Sequence, residues 1–172
     1  VWGKHRPQGV IWLAVQQGSV HQRKIITASE RMLYGKHIEN LATQRGLPII
    51  FPLWDLEDTQ AITINDVWGQ FDEQVVNASK RYGADTMILS RLMFDADLSE
   101  WIGEWRFNAE NNWIYGQFTA HNPEDILAHM MNQYGDWLGK KYSVNLLKEG
   151  QQTIKVRVSN LNSIESYAEL MD

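Results

Sequence analysis

The sequence predicts an α/β fold with an α+β tendency, a mixed sheet in the order βαβαβββα followed by a terminal βα element. Three observations predict it. Apolar runs at 10–15, 47–53 and 86–94 have the length of buried strands and are separated by stretches of helical periodicity; that arrangement implies crossovers and parallel pairing. Past residue 94 the pattern changes to an alternating segment and a further strand, with connections short enough for antiparallel hairpins. A proline-headed amphipathic stretch then begins at Pro123.

Taken in order, Gly9 to Val15 reads as a strand buried on both faces, ended by Gln16-Gln17-Gly18-Ser19. Val20 to Thr27 reads as an edge strand. Ser29 is placed to cap a helix beginning at Glu30, with Leu33, His37, Ile38, Leu41 and Ala42 at helical spacing and Gly46 at the left-handed closing position. Leu47 to Leu53 is a second buried strand, bracketed by Pro48 and Pro52. Trp54 to Thr63 reads as a loop. Asn65 or Asp66 caps the next helix, whose stripe is Val67, Phe71, Val75, Ala78 and Tyr82, closed by Gly83. Thr86 to Phe94 is the third apolar strand.

Glu100 to Ala109 alternates, with Trp101, Gly103, Trp105 and Phe107 on one side and Glu100, Glu104, Arg106 and Asn108 on the other; Ile102 is the exception. Asn112 to Thr119 follows as its hairpin partner. Asn122-Pro-Glu-Asp125 offers a cap residue, a proline in the first turn and carboxylates at the positive end of a helix dipole. Leu127, Met130, Met131, Tyr134, Leu138 and Tyr142 form that helix's buried face. Helices are expected mainly on one side of the antiparallel strands, leaving the other face more open. Residues 1–146 form the main domain. Residues 147–172 carry a strand at 153–158 and a helix from Asn162 or Ser163, a candidate start of a second, truncated domain. Val1 reads as the start of a mature or excised chain, and the last helical pattern stops mid-element, so the natural protein is expected to continue.

Composition narrows the classes. Of 172 residues, 44% are hydrophobic and 22% charged, which fits a globular domain rather than a disordered chain. The net charge of −5 makes nucleic acid a poor partner. Arg23-Lys24 and Lys140-Lys141 are isolated pairs that read as solvated faces. No apolar run reaches the roughly 20 residues of a membrane span. The absence of cysteine excludes disulfides, thiolate metal sites and a cysteine nucleophile. Eight tryptophans are the strong deviation. They read either as a tryptophan-rich core or as an exposed aromatic contact patch.

No catalytic motif is present. There is no Gly-x-Ser-x-Gly elbow, no phosphate-binding loop, no dinucleotide fingerprint and no His-Glu-x-x-His pair. Ser29, Ser79 and Ser90 have no histidine at a telling spacing, and His5, His21, His37, His121 and His129 read as ordinary surface residues. No cofactor and no metal is predicted.

The densest carboxylate group is Asp55, Glu57, Asp58 and Asp66, just past a parallel strand, where ligands of open α/β sheets bind. Oxygen-rich loops hold calcium or magnesium, but this one lacks the alternating ligands and glycine of an EF-hand. The competing reading has Asp58 capping a turn and Asp66 capping the next helix. Trp54 and Trp68 flank this loop, either as an outward aromatic rim or as an inward staple. Arg91 interrupts an apolar run. It is either buried, with the 55–58 loop as candidate partner, or solvated where its strand leaves the core. Trp54, Asp55, Glu57, Asp58, Asp66, Trp68 and Arg91 are thus the candidate binding residues.

Three blocks carry a resemblance: residues 46–58 (Gly-Leu-Pro-Ile-Ile-Phe-Pro-Leu-Trp-Asp-Leu-Glu-Asp), residues 66–73 (Asp-Val-Trp-Gly-Gln-Phe-Asp-Glu), and residues 78–85 (Ala-Ser-Lys-Arg-Tyr-Gly-Ala-Asp) running into Ile88-Leu-Ser-Arg-Leu92. Together they resemble the bacterial domain-of-unknown-function family 2066, over roughly residues 8–145. The resemblance implies an exported, periplasmic protein of Gram-negative bacteria with no assigned activity. The turn at Tyr82-Gly-Ala-Asp85 also looks like envelope α/β modules of the TolB amino-terminal or lipoprotein-activator kind. The expected function is a non-catalytic envelope module that binds another envelope protein, with oligomeric state open. The alternative is a small-ligand or divalent-cation domain using the acidic loop 55–58. An enzyme with spatially assembled residues comes last.

Overall fold

A computed structural model describes residues 6–29 and 33–149, with side chains as far as residue 142. The fold is the expected mixed α/β arrangement. Strand β1 (Gly9–Gln16) is its axis, buried at every residue from Gly9 to Val15. It pairs along its whole length with β4 (Thr86–Asp95), in parallel. Its other edge is divided. Gly9 and Val10 pair in parallel with β3 (Ile49–Ile50), and Ala14 to Gln16 pair antiparallel with β2 (Arg23–Ile25). Beyond β4 come two antiparallel neighbours, β5 (Glu100–Ala109) and β6 (Asn112–Ala120). The sheet order is β2-β1-β4-β5-β6, with β3 beside β1.

Alternation along the central strands separates two cores. Ile11, Leu13, Val15, Ile88 and Leu92 point to one face, with Trp105 and Phe107, and are covered by α1 (Tyr34–Arg45) and α5 (Pro123–Glu149). Val10, Trp12, Ala14 and Leu89 point to the other, beneath α3 (Ile64–Trp68) and α4 (Asp72–Ser79). Burial of each such aliphatic side chain contributes about 1.5–3 kcal/mol. The helix α5 covers β5 and β6 on the first face. On the second face their residues are more open, and Tyr115 is 62% exposed, as the alternation of β5 led us to expect.

Several boundaries differ from the sequence reading. Most of the expected edge strand 20–27 is absent: Val20–Gln22 is a 3₁₀ turn and only Arg23–Ile25 pairs. The strand expected over 47–53 pairs at two residues alone, because Pro48 and Pro52 lack the N–H groups a ladder needs. The expected loop 54–63 contains a short helix, α2 (Leu56–Ala61). The single helix expected over 67–82 is broken. α3 and α4 are separated by Gly69 and Gln70, the latter at φ +55°, and a 3₁₀ turn at Lys80–Tyr82 follows α4. A stripe of apolar residues fixes which face is buried but not whether the backbone is continuous.

Two helix ends follow their signals. Gly46 closes α1 at φ +65°, as expected of a residue in that position. The expected start of that helix at Glu30 and the terminal strand and helix at 153–172 lie outside the described residues. Asn122 caps α5, accepting the Asp125 N–H at 2.8 Å. α5 runs without interruption past residue 146 to Glu149, so the expected domain limit falls inside a helix.

Candidate functional site

Four of the candidate residues, Trp54, Asp55, Glu57 and Asp58, gather just past the end of β3. Pro52 stops the ladder, Leu53 turns outward, and Trp54 takes a left-handed backbone at φ +56°. A non-glycine residue held there costs of order 1 kcal/mol and persists only where surrounding contacts fix it. Those contacts are dense. The Trp54 N–H donates to Asp58 Oδ2 at 2.7 Å, and the Leu53 N–H donates to the Tyr82 hydroxyl oxygen at 2.9 Å. The Tyr82 hydroxyl in turn donates to the same Asp58 oxygen. The Trp54 and Tyr82 rings meet Trp12 edge-on, with centroids at 6.4 and 6.1 Å. Trp12 is anchored by its Nε1–H to Ser79 Oγ at 2.9 Å.

Asp55 caps α2, accepting the Asp58 N–H at 3.1 Å. Its carboxylate also receives Arg81 in a two-point fork, at 2.6 and 2.9 Å. The same guanidinium donates to Asp58 Oδ1 at 3.0 Å and approaches Glu57 at 3.4 Å. Asp58 is wholly buried, whereas Glu57 is 68% exposed. Three carboxylates thus surround one cation, and Arg81 holds the Asp55 carboxyl down to about 2. Arg81 is itself pushed further up by the Asp55 hydrogen bond. Burial, and then the hydrogen bond to Asp58, push the Tyr82 phenol well above its usual range. Tyr82 therefore stays a donor to Asp58.

The other candidates lie apart from this hub. Asp66 is engaged with Thr63 in a reciprocal cap at the start of α3, at 2.8 Å to the Thr63 N–H and 2.6 Å to its hydroxyl. Thr63, and neither Asn65 nor Asp66, is the cap residue. Arg91 does not reach the 55–58 loop, nor is it solvated. Its Nε donates across the sheet to Glu104 at 2.8 Å, and its Nη1 donates to the Trp68 carbonyl at 2.9 Å. The pairing follows from register, since Arg91 and Glu104 are direct partners on β4 and β5. Arg106, two register positions along on β5, makes a similar pair of contacts, binding Asp72 of α4 at 2.6 Å and the Gln70 carbonyl at 3.3 Å. The two arginines tie the α3–α4 break to the sheet. Trp54 and Trp68 both pack against the second core, so neither stands free as a rim.

Sequence reasoning missed Arg81, Tyr82 and Leu53. Arg81 and Tyr82 sit in the third resemblance block but share no local pattern with Asp58. Leu53 is 54% exposed and Leu56 is 73% exposed. On one side of Leu53 an apolar cleft of about 340 Å³ is bounded by Ile49, Ile50, Phe51 and Tyr82. On the other, a cleft of about 410 Å³ lies between Leu53, Trp54, Ile64 and the basic pair Arg23 and Lys24. Arg23 is not a solvated residue as expected: its guanidinium lies 4.1 Å from the Trp68 ring centroid. Among the described residues no group of three or more histidine, aspartate or glutamate side chains is arranged to hold a metal.

Fold and site together define a mixed α/β module carrying a saturated arginine–carboxylate hub beside exposed leucines. No family model matches the chain, and no curated protein matches it. Among solved structures it is similar to the LpoB C-terminal domain from Salmonella enterica, with TM-score 0.42 and 9% identity over 67% of this chain and 83% of that one. It is also similar to an uncharacterised protein, with TM-score 0.31 and 14% identity over 80% and 92%. Likenesses this distant transfer no residue roles. No helix among the described residues is long and apolar enough to cross a membrane.

Proposed function

We propose that this chain is a non-catalytic, protein-binding module of the bacterial envelope, and that its contact surface is centred on Leu53 and Leu56. The observation that carries the reading is the exposure of these two leucines on backbone that cannot relax. Leu53 and Leu56 are more than half exposed on either side of Trp54 and Asp55. Asp58, Arg81 and Tyr82 lock that turn. Exposed apolar side chains on rigid backbone beside an apolar cleft have the character of a protein contact, because binding buries them with little loss of entropy. The envelope location is supported by the three sequence blocks that resemble an exported family. A cation reading of the 55–58 loop is less well supported, because Arg81 already engages the carboxylates.

The test is capture from a periplasmic extract of a Gram-negative bacterium, with the wild-type chain and a Leu53→Glu/Leu56→Glu variant as baits. A specific partner retained by the wild type and reduced at least tenfold by the variant is expected, with both baits melting alike. Absence of any specific partner, or equal capture by both, removes the reading.

A further inference from the structure

Arg23 differs from Arg81, Arg91 and Arg106. Arg81, Arg91 and Arg106 each bind a carboxylate, at Asp55 and Asp58, Glu104, and Asp72 respectively. Arg23 has no carboxylate partner among the described residues. It is nevertheless held. Its Nε donates to Gln16 Oε1 at 2.8 Å, and its planar group lies against Trp68 at 4.1 Å from the ring centroid. Both contacts leave the two terminal nitrogens available, in an orientation fixed in advance. Lys24 follows on the same short strand, where alternation turns its side chain to the opposite face of the sheet, and no carboxylate of the described residues borders the Arg23 cleft. A cation with no carboxylate partner among the described residues, in a chain of net charge −5, is a local reversal of the molecule's field.

We propose that this cleft receives an acidic segment of the partner protein, a carboxylate seated on the terminal nitrogens of Arg23 with a neighbouring apolar side chain against Leu53 and Ile64. The inference rests on the protein-binding reading above and adds the chemistry of the partner. A guanidinium fork takes a carboxylate at two points and gains more than a neutral donor would. Prior stacking on Trp68 lowers the entropy lost in doing so. Leu53 forms a wall of this cleft and of the apolar one, so a segment laid across it meets both chemistries.

The probes are two synthetic decapeptides of equal leucine and phenylalanine content, one carrying four glutamates and the other four lysines, titrated into the ¹⁵N-labelled chain up to about 1 mM. The glutamate peptide is expected to shift the Trp54 and Trp68 indole signals saturably, and the lysine peptide to leave them in place. Arg23→Gln should weaken the glutamate peptide at least tenfold while the rest of the spectrum is unchanged. Equal response to both peptides, no response, or indifference to Arg23→Gln overturns the proposal. So does an equal set of shifts from inorganic phosphate, which would make the cleft a phosphate site, and so does self-association with concentration, which would make a second copy the occupant. In the capture experiment, a partner lost with Leu53→Glu/Leu56→Glu but kept with Arg23→Gln removes the acidic segment and leaves the protein-binding reading standing.

Discussion

Asp58 is a buried carboxylate that accepts from a backbone N–H, a phenol and a guanidinium, so its desolvation is offset by three donors and one opposite charge. Asp55, at the edge of the same hub, is the residue whose titration reports on it. Its carboxyl is held at about 2 by Arg81, against an ordinary value of 3.8. The ionised form is therefore favoured by folding, and the contribution is complete above about pH 4. It is lost as pH falls from there toward 2. Acid titration followed by the Trp54 indole signal should show a transition in that window, and Asp55→Asn should abolish it while leaving the neutral-pH spectrum close to wild type. A transition unchanged in Asp55→Asn would assign it elsewhere. The acidic members of the hub were legible in the sequence because they are local. Arg81 was not, since it lies 26 residues from Asp55 and only tertiary structure brings the two together. Arg91 was misread for the complementary reason: its partner is set by the β4–β5 register, which a single strand does not display.

At the scale of elements, α5 approaches the sheet through glycines. A Cβ on Gly103 would stand 2.1 Å from Ile126 Cγ2 and 3.2 Å from a Leu92 methyl, both in the first core. Gly103→Ala must therefore lift α5 or displace Ile126, at a cost of roughly 1–3 kcal/mol. Chemical denaturation should find that loss, and Ile126→Ala, costly alone, should cost less in the Gly103→Ala background; strictly additive losses would show that the helix is not seated on that glycine. Most elements were legible where side-chain period and end signals agreed. Gly46, the Asn122-Pro123 start and the alternation of β5 fall in this class. The three strands of the parallel part were legible as apolar runs, but β3 was overestimated because two prolines exclude pairing on either side of it. The α3–α4 break was not legible, because the apolar stripe continues through it. The positive φ at Gln70 is fixed by Arg91 and Arg106 reaching across from the sheet, and Gln70 itself carries no turn signature.

At the scale of the whole molecule, the two cores are one mechanical object because they share their central strands. Ile11, Leu13 and Val15 feed the face beneath α1 and α5, and Val10, Trp12 and Ala14 feed the opposite one, from consecutive residues of β1. Neither helical layer can separate without exposing one side of a strand whose other side is still packed. The hub and the Arg23 cleft are attached to the second layer, whereas the apolar cleft takes Ile49 and Phe51 from the first core, so the Leu53 surface draws on the stability of both. Unfolding of the described fold should accordingly be a single transition. Leu13→Ala empties space in the first core alone and should cost about 2–5 kcal/mol. Incorporation of 5-fluorotryptophan gives separate probes, with Trp12 in the second core and Trp105 in the first. Both signals should lose intensity at the same urea concentration in the wild type, and both should move together to a lower one in Leu13→Ala. If Trp105 moved and Trp12 stayed, the layers would be independent, and the rigidity assigned to the Leu53 surface would have to come from the Asp58 hub alone.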